Sequence, residues 1–204
     1  KSPAAPFTTS TLQQEASRKL YFSVAQTMQV AQKLYEAGKI TYMRTDSTNL
    51  SQDALAAAKT AIEQSFGPQY HTQRKFATKN ESAQEAHEAI RPTNFAKNIA
   101  GGDDRQKKLY DLIYKRTIAS QMADAKLENT TIKLFNQGHP DAQRFTARGQ
   151  VIKFDGFIRV YQEGTDDEST DELDGQLPAV NEGSTLTSQE ITATERFTKH
   201  TPRY

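Results

Sequence analysis

The sequence predicts an α+β chain in which a helical first part is followed by a smaller antiparallel β part. Three observations carry this. Up to about residue 127, apolar residues recur at helical spacing behind Ser, Thr and Asp cap candidates. From Lys126 onward the chain turns rich in Thr, Val, Ile and Phe with partial alternation, the signature of strands. Charge divides at the same place: residues 1–127 carry a net +6 and residues 128–204 a net −5, within a total of +1. We therefore expect two units, 1–127 and 128–204, with any polyanion meeting the first.

The elements follow in order. "KSPAAPF" reads as a linker, and because the chain starts at Lys1 we expect a piece of something longer. A first helix starts near Thr11, whose pairing with Gln14 fits a capping box, and Leu12, Ala16 and Leu20 follow at helical spacing. A second begins after Ser23 with the stripe Val24, Met28, Ala31, Leu34 and Tyr35, and stops at Gly38 as its C′ residue. Ile40–Met43 is too short and too β-branched for a helix and reads as a short strand. Ser51 caps a third helix carrying Leu55, Ala58, Ile62 and Phe66, which Gly67-Pro68 ends. Residues 69–80 read as a loop, and "ESAQEAHEAIRPT" as a short helix or shaped loop ending at Arg91-Pro92. "GGDD" opens a long helix from about Asp103 to Met122, with Leu109, Ile113, Arg116 and Ala119 on one side. "NTTIKLF", "RFTARGQVIKF", "GFIRVYQ" and "STLTSQEITATERF" are the expected strands. Residues 163–175 hold seven acids and interrupt them as an exposed loop.

Composition excludes several chemistries. The chain has no cysteine, so it forms no disulfide, thiol nucleophile or thiolate zinc site of its own. Its four histidines are scattered and no glycine-rich phosphate loop is present. No apolar run approaches the roughly 18 residues of a transmembrane helix, and no signal peptide is visible. Mean hydropathy is −0.78, polar for a folded domain, but apolar residues are spread along the chain, which favours a packed core with solvated loops over disorder. The acidic run lacks the rigid apolar flanks that hold metal ligands, so it reads as solvated.

The stretch "GKITYMRTDS", residues 38–47, carries the candidate chemistry. On an extended backbone Tyr42 and Arg44 share a face. A phenol is a weak nucleophile at neutral pH, and a guanidinium beside it favours its charged form. The guanidinium also offers fixed donors to phosphate oxygens. Asp46 cannot clamp phosphate, but it could orient Arg44 or cap the next segment. The commoner meaning of Tyr-x-Arg is a half-buried strand aromatic beside a solvated arginine. His87, close to Arg91, could contact phosphate or move a proton, and could equally be a surface histidine between Glu85 and Glu88. The short helices also admit a helix-turn-helix or winged-helix reading for duplex DNA, although the third helix, with only Lys59 as a base, makes a poor recognition helix.

Taken together and in this order, "PFTTSTLQQEASRKL", "AQKLYEAGKITYMRTDSTNLS" and "QEAHEAIRPT" resemble the central region of bacterial type IA DNA topoisomerase I, and the final "FTKHTPRY" resembles that family's passage to its next domain. The resemblance runs through nearly the whole chain and is strongest in residues 6–51 and 84–93. It implies a helical, winged-helix-like tyrosine domain followed by part of a β arch. It implies that Tyr42 attacks one DNA strand, leaving a 5′-phosphotyrosyl link and a free 3′-hydroxyl, with Arg44 on the scissile phosphate. It places His87 near the cleaved strand, Asp46 and Arg91 in support, and Gln32 and Glu36 facing the site or the bound strand. Expected partners are single-stranded and negatively supercoiled DNA and the remaining domains of the same polypeptide, for a cytoplasmic monomer away from membranes. The chain departs from the family pattern in lacking both the cysteine zinc ribbons and any Asp-x-Asp motif. We therefore expect no metal site here, magnesium only for the whole enzyme, and no supercoil relaxation by this piece alone. The competing reading is a noncatalytic DNA-binding or scaffold module.

Overall fold

The computed structural model describes residues 1–76, 87–135, 145–162, 164, 180–187 and 195. Helix α1 spans Thr9–Leu20, α2 Val24–Glu36, α3 Gln52–Phe66 and α4 Asp104–Ser120. Strands β1, Lys126–Leu134, and β2, Phe145–Phe154, follow, and short 3-10 turns occupy Pro68–Tyr70 and Gly156–Arg159. The α+β class is therefore as expected, with helices first.

Three of the four helices start where side-chain chemistry places them. Ser23, Ser51 and Asp103 each accept a hydrogen bond from a first-turn amide of α2, α3 and α4. The fourth start is a correction. The N-cap of α1 is Thr8, and its box partner is Thr11, whose hydroxyl accepts from the Thr8 amide at 2.9 Å; Gln14 takes no part. A threonine hydroxyl at the third helical position serves here as well as a Glu or Gln would. The buried face of α2 is also rotated from the expected stripe. Thr27, Val30, Ala31 and Leu34 are buried, whereas Val24 and Tyr35 are 57% and 40% exposed. Thr27 tolerates full burial because its hydroxyl donates to the Ser23 carbonyl within the same helix.

Helix α4 is the centre of the helical body and packs against α1, α2 and α3. Leu109, Ile113, Arg116 and Ala119 are all buried, as the spacing predicts. Arg116 is 4% exposed; its Nε donates to the Ala5 carbonyl at 2.6 Å and its guanidinium lies over the Phe7 ring. A buried cation needs such partners to offset its lost hydration.

β1 and β2 pair antiparallel from Lys126↔Phe154 to Leu134↔Phe145 and, among the described residues, form the only sheet. "GFIRVYQ" is not a strand. Gly156 has φ +49°, and a Cβ there would stand 2.5 Å from the Ala123 carbonyl oxygen, so the backbone breaks from extension at that point. Phe157 and Tyr161, four residues apart, then bury against the helical core while Arg159 between them is exposed, which is a helical and not a strand pattern. Tyr161 donates to Glu15 at 2.5 Å, and the Gly164 amide donates to the same carboxylate. Burial pushes the Glu15 carboxyl up, but these hydrogen bonds with Lys19 and Arg18 outweigh it and hold it below the usual range. Burial and this carboxylate raise the Tyr161 phenol. Of the expected last strand, residues 184–187 have no regular structure. Its remainder lies outside the described residues apart from Glu195, as does the acidic run apart from Gly164.

Candidate active site

The site is built from the end of α2 onward. Gly38 takes φ +64° and closes the helix with two bonds: the Lys39 amide donates to Leu34 and the Gly38 amide to Tyr35, each at 2.8 Å. This is the left-handed stop that a glycine at C′ provides. The chain reverses there and meets residues 89–93. Ile40 bridges to Pro92, with the Thr41 amide donating to Arg91 and the Thr93 amide to Lys39.

The expected strand at Ile40–Met43 is absent, and the reason is local. The Thr41 hydroxyl donates to the Ala89 carbonyl at 2.7 Å and accepts from the Arg91 amide at 2.9 Å. It thereby occupies groups that a backbone ladder would use, and pairing stops after one bridge. The segment bends at Thr41, Met43 and Arg44 and is held at its other edge by the first residue of α1. The Thr9 hydroxyl donates to the Met43 carbonyl at 2.8 Å, and the Thr9 amide to the Thr45 carbonyl at 2.8 Å.

Burial consequently alternates. Met43, Thr45 and Ser47 are buried, while Tyr42, Arg44 and Asp46 are exposed between them. The three polar candidates thus share the outer side of one pinned segment. Arg44 and Asp46 make no hydrogen bond or ion pair with the described residues, so Asp46 neither orients Arg44 nor caps the following segment here. Tyr42 is 44% exposed. With Thr41, Thr45, His87 and Glu88 it lines a concavity of about 270 Å³.

His87 reaches this concavity because its segment is fastened. The Ala89 amide donates to Asn49, and the Ile90 amide to Phe7. Glu88 Oε1 accepts from the Ser51 amide at 2.7 Å and from Arg91 Nε at 3.1 Å, and Oε2 accepts from Arg91 Nη2 at 2.6 Å. Burial pushes the Glu88 carboxyl up, but the hydrogen bonds from Arg91 and Ser51 prevail and hold it below the usual range. Arg91 is accordingly committed to Glu88 and to the Pro92 carbonyl, with a side chain only 14% exposed. It braces the His87 segment rather than presenting its guanidinium to the concavity. Gln32 and Glu36 pair with each other at 2.7 Å on the outer side of α2.

Two contributors escaped sequence reasoning. Glu88 was legible only as one of two acids flanking His87. Tyr35 was read as part of the α2 stripe, yet its ring meets Tyr42 edge to face, centroids 5.3 Å apart at 66°. The available signal was Gly38, whose reversal returns the chain onto the last turn of α2. No group of three or more His, Cys, Asp or Glu able to hold a metal ion occurs among the described residues. No helix among them is long and apolar enough to cross a membrane.

A family model described as DNA topoisomerase matches residues 1–204. The DNA topoisomerase 1 of Zymomonas mobilis is 46% identical over all of this chain, which covers 17% of that protein. The DNA topoisomerase 1 of Streptomyces coelicolor is 49% identical, again over the whole chain and 22% of the relative. Among solved structures, the full-length topoisomerase I of Thermotoga maritima superimposes with a TM-score of 0.65 at 40% identity, over 82% of this chain and 29% of that one. The chain thus spans about a fifth of the length of the curated relatives it matches.

Proposed function

From the premise that this chain belongs to the family of bacterial DNA topoisomerase I, we propose that it is the part of a type IA enzyme that supplies the nucleophilic tyrosine. The observation that carries the reading is the outward row Tyr42, Arg44, Asp46 on a doubly pinned segment, with His87 on the same concavity as Tyr42.

The Tyr42 phenol loses its proton and its oxygen forms a bond to the phosphorus of a single-stranded DNA backbone. The bond from that phosphorus to the 3′-oxygen of the preceding nucleotide breaks, and this oxygen takes up a proton. One phosphodiester has been exchanged for a phosphotyrosine ester, so religation is the same step reversed and needs no outside energy source. The free donors of Arg44 suit the charge that develops on the phosphate oxygens. His87 stands where it can contact the strand or move a proton. Pinning on both sides of Tyr42 limits the backbone freedom that in-line attack would otherwise have to overcome. Gln32 and Glu36 face the bound strand from α2.

Magnesium is expected of the whole enzyme. The described residues do not fit such an ion, since no acids converge, and no step above runs through a metal. The substrate is negatively supercoiled DNA, relaxed through a transient single-strand break, and the partner is the rest of the same cytoplasmic, monomeric polypeptide. Alone, this piece does not relax supercoils. Incubated with supercoiled plasmid and magnesium it leaves the topoisomer distribution unchanged; relaxation that disappears in Tyr42→Phe would overturn that statement. Combined with the metal-binding part of the enzyme, it becomes covalently labelled by a 3′-end-labelled single-stranded oligonucleotide, and Tyr42→Phe abolishes the label. Labelling that survives Tyr42→Phe, or none in either protein, favours a noncatalytic DNA-binding module instead.

A further inference from the structure

Neither ring of the Tyr35–Tyr42 pair lies in the core. They are 40% and 44% exposed, so their edge-to-face contact is not a by-product of core packing. The backbone on either side of Tyr42 is fixed, through Thr41 to residues 89 and 91 and through Met43 to Thr9. The side chain is a separate matter, because an exposed tyrosine outside helix and strand ordinarily samples more than one staggered χ1 well. Here the last turn of α2 places the Tyr35 ring against one side of the phenol, while the concavity shared with His87 lies at hand. In-line attack tolerates little misplacement of the attacking oxygen.

Resting on the reading of Tyr42 as the nucleophile, the geometry points to Tyr35 as a positioning residue that holds the Tyr42 ring in its attacking orientation. The contact is ring to ring. The Tyr35 hydroxyl makes no hydrogen bond with the described residues, so a phenylalanine serves equally well. Tyr35 takes no part in proton transfer or phosphate binding; it narrows the set of conformations from which Tyr42 reacts.

The test uses the longer polypeptide in which we propose this segment acts, with a 3′-end-labelled single-stranded oligonucleotide and single-turnover measurement of the covalent adduct. Tyr35→Phe reacts within about twofold of the parent, and Tyr35→Ala about three- to tenfold more slowly, as loss of one aromatic pair implies. Oligonucleotide affinity stays at the parental value, and the melting temperature falls by no more than the few degrees that one exposed aromatic pair is worth. Tyr35→Leu, which keeps the helix and most of the volume, repeats the slowing if the alanine variant is poorly folded. A parental rate in both Ala and Leu variants, or a Phe variant as slow as Ala, overturns the inference. A matching loss of oligonucleotide affinity also overturns it, since Tyr35 would then be a DNA contact. A polypeptide that forms no Tyr42-dependent adduct at all overturns the nucleophile reading itself; a Tyr42-dependent adduct unslowed in Tyr35→Ala overturns the positioning role alone.

Discussion

Replacing Thr41 by valine is the sharpest perturbation available, because it keeps the side-chain shape and removes a single hydroxyl. That hydroxyl donates to Ala89 and accepts from Arg91, at 2.7 and 2.9 Å. Valine leaves both backbone groups without that partner. Each lost bond is worth roughly 1 kcal/mol net, and an unsatisfied buried polar group costs roughly 1–3 kcal/mol. Thr41 is half-buried, so water recovers part of this, and a total of about 2–3 kcal/mol is expected. For a chain of this size roughly 2–4 °C is lost per kcal/mol, giving a melting point lower by about 5–10 °C. Calorimetry reads this directly, and urea titration should show a lower midpoint at unchanged slope. Because the same bonds tie Tyr42 to the His87 segment, adduct formation by the whole polypeptide should fall as well, and Thr41→Ser should retain most of both properties. A Thr41→Val protein that melts within a degree of the parent would refute the idea that this hydroxyl joins the two halves of the site.

Two further outcomes are expected. Glu88 has a folded-state pKa below its ordinary value of 4.5, so its stabilisation is complete above that pH and is lost as pH falls through the lower folded value. The urea midpoint of the parent therefore declines on acidification below about pH 4.5 more steeply than that of Glu88→Gln, and parallel profiles from pH 3 to 7 would exclude the Glu88–Arg91–Ser51 clamp. Gly156→Ala meets the Ala123 carbonyl oxygen at 2.5 Å and the Asp124 carbonyl oxygen at 2.6 Å, at φ +49°. Backbone atoms yield little, so the variant should lose upwards of about 2 kcal/mol by urea titration, and an unchanged midpoint would contradict the close approach.

Much of the site was legible because it is local. Caps at Ser23, Ser51 and Asp103 and stops at Gly38 and Gly67 depend on a few neighbouring backbone groups. The alternation of exposed Tyr42, Arg44 and Asp46 with buried Met43, Thr45 and Ser47 keeps the two-residue period read from the sequence, although the backbone bends at Met43 and Arg44 instead of running as a strand. Long-range pairing left no such mark. His87 stands 45 residues after Tyr42 and reaches it through hydrogen bonds of Thr41, Glu88 and Asn49 whose partners no spacing rule names. Arg91 was expected in a supporting place, but no spacing rule named Glu88 as the partner of its guanidinium. The face of α2 was misjudged because packing against α4, not hydropathy alone, selects which stripe is covered.

By itself, then, the sequence determined where three of the four described helices begin, which part is helical and which is β, and that a phenol, a guanidinium and a carboxylate emerge from one segment at two-residue spacing. Tertiary structure alone decided that an imidazole shares a concavity with the phenol, that the Arg91 guanidinium pairs with Glu88, and that the Tyr35 ring stands against Tyr42. The division has a physical cause. Backbone geometry acts over one or two turns and can be read from adjacent residues, whereas the partner of a hydroxyl, a guanidinium or a ring is chosen only when distant segments compete for the same space.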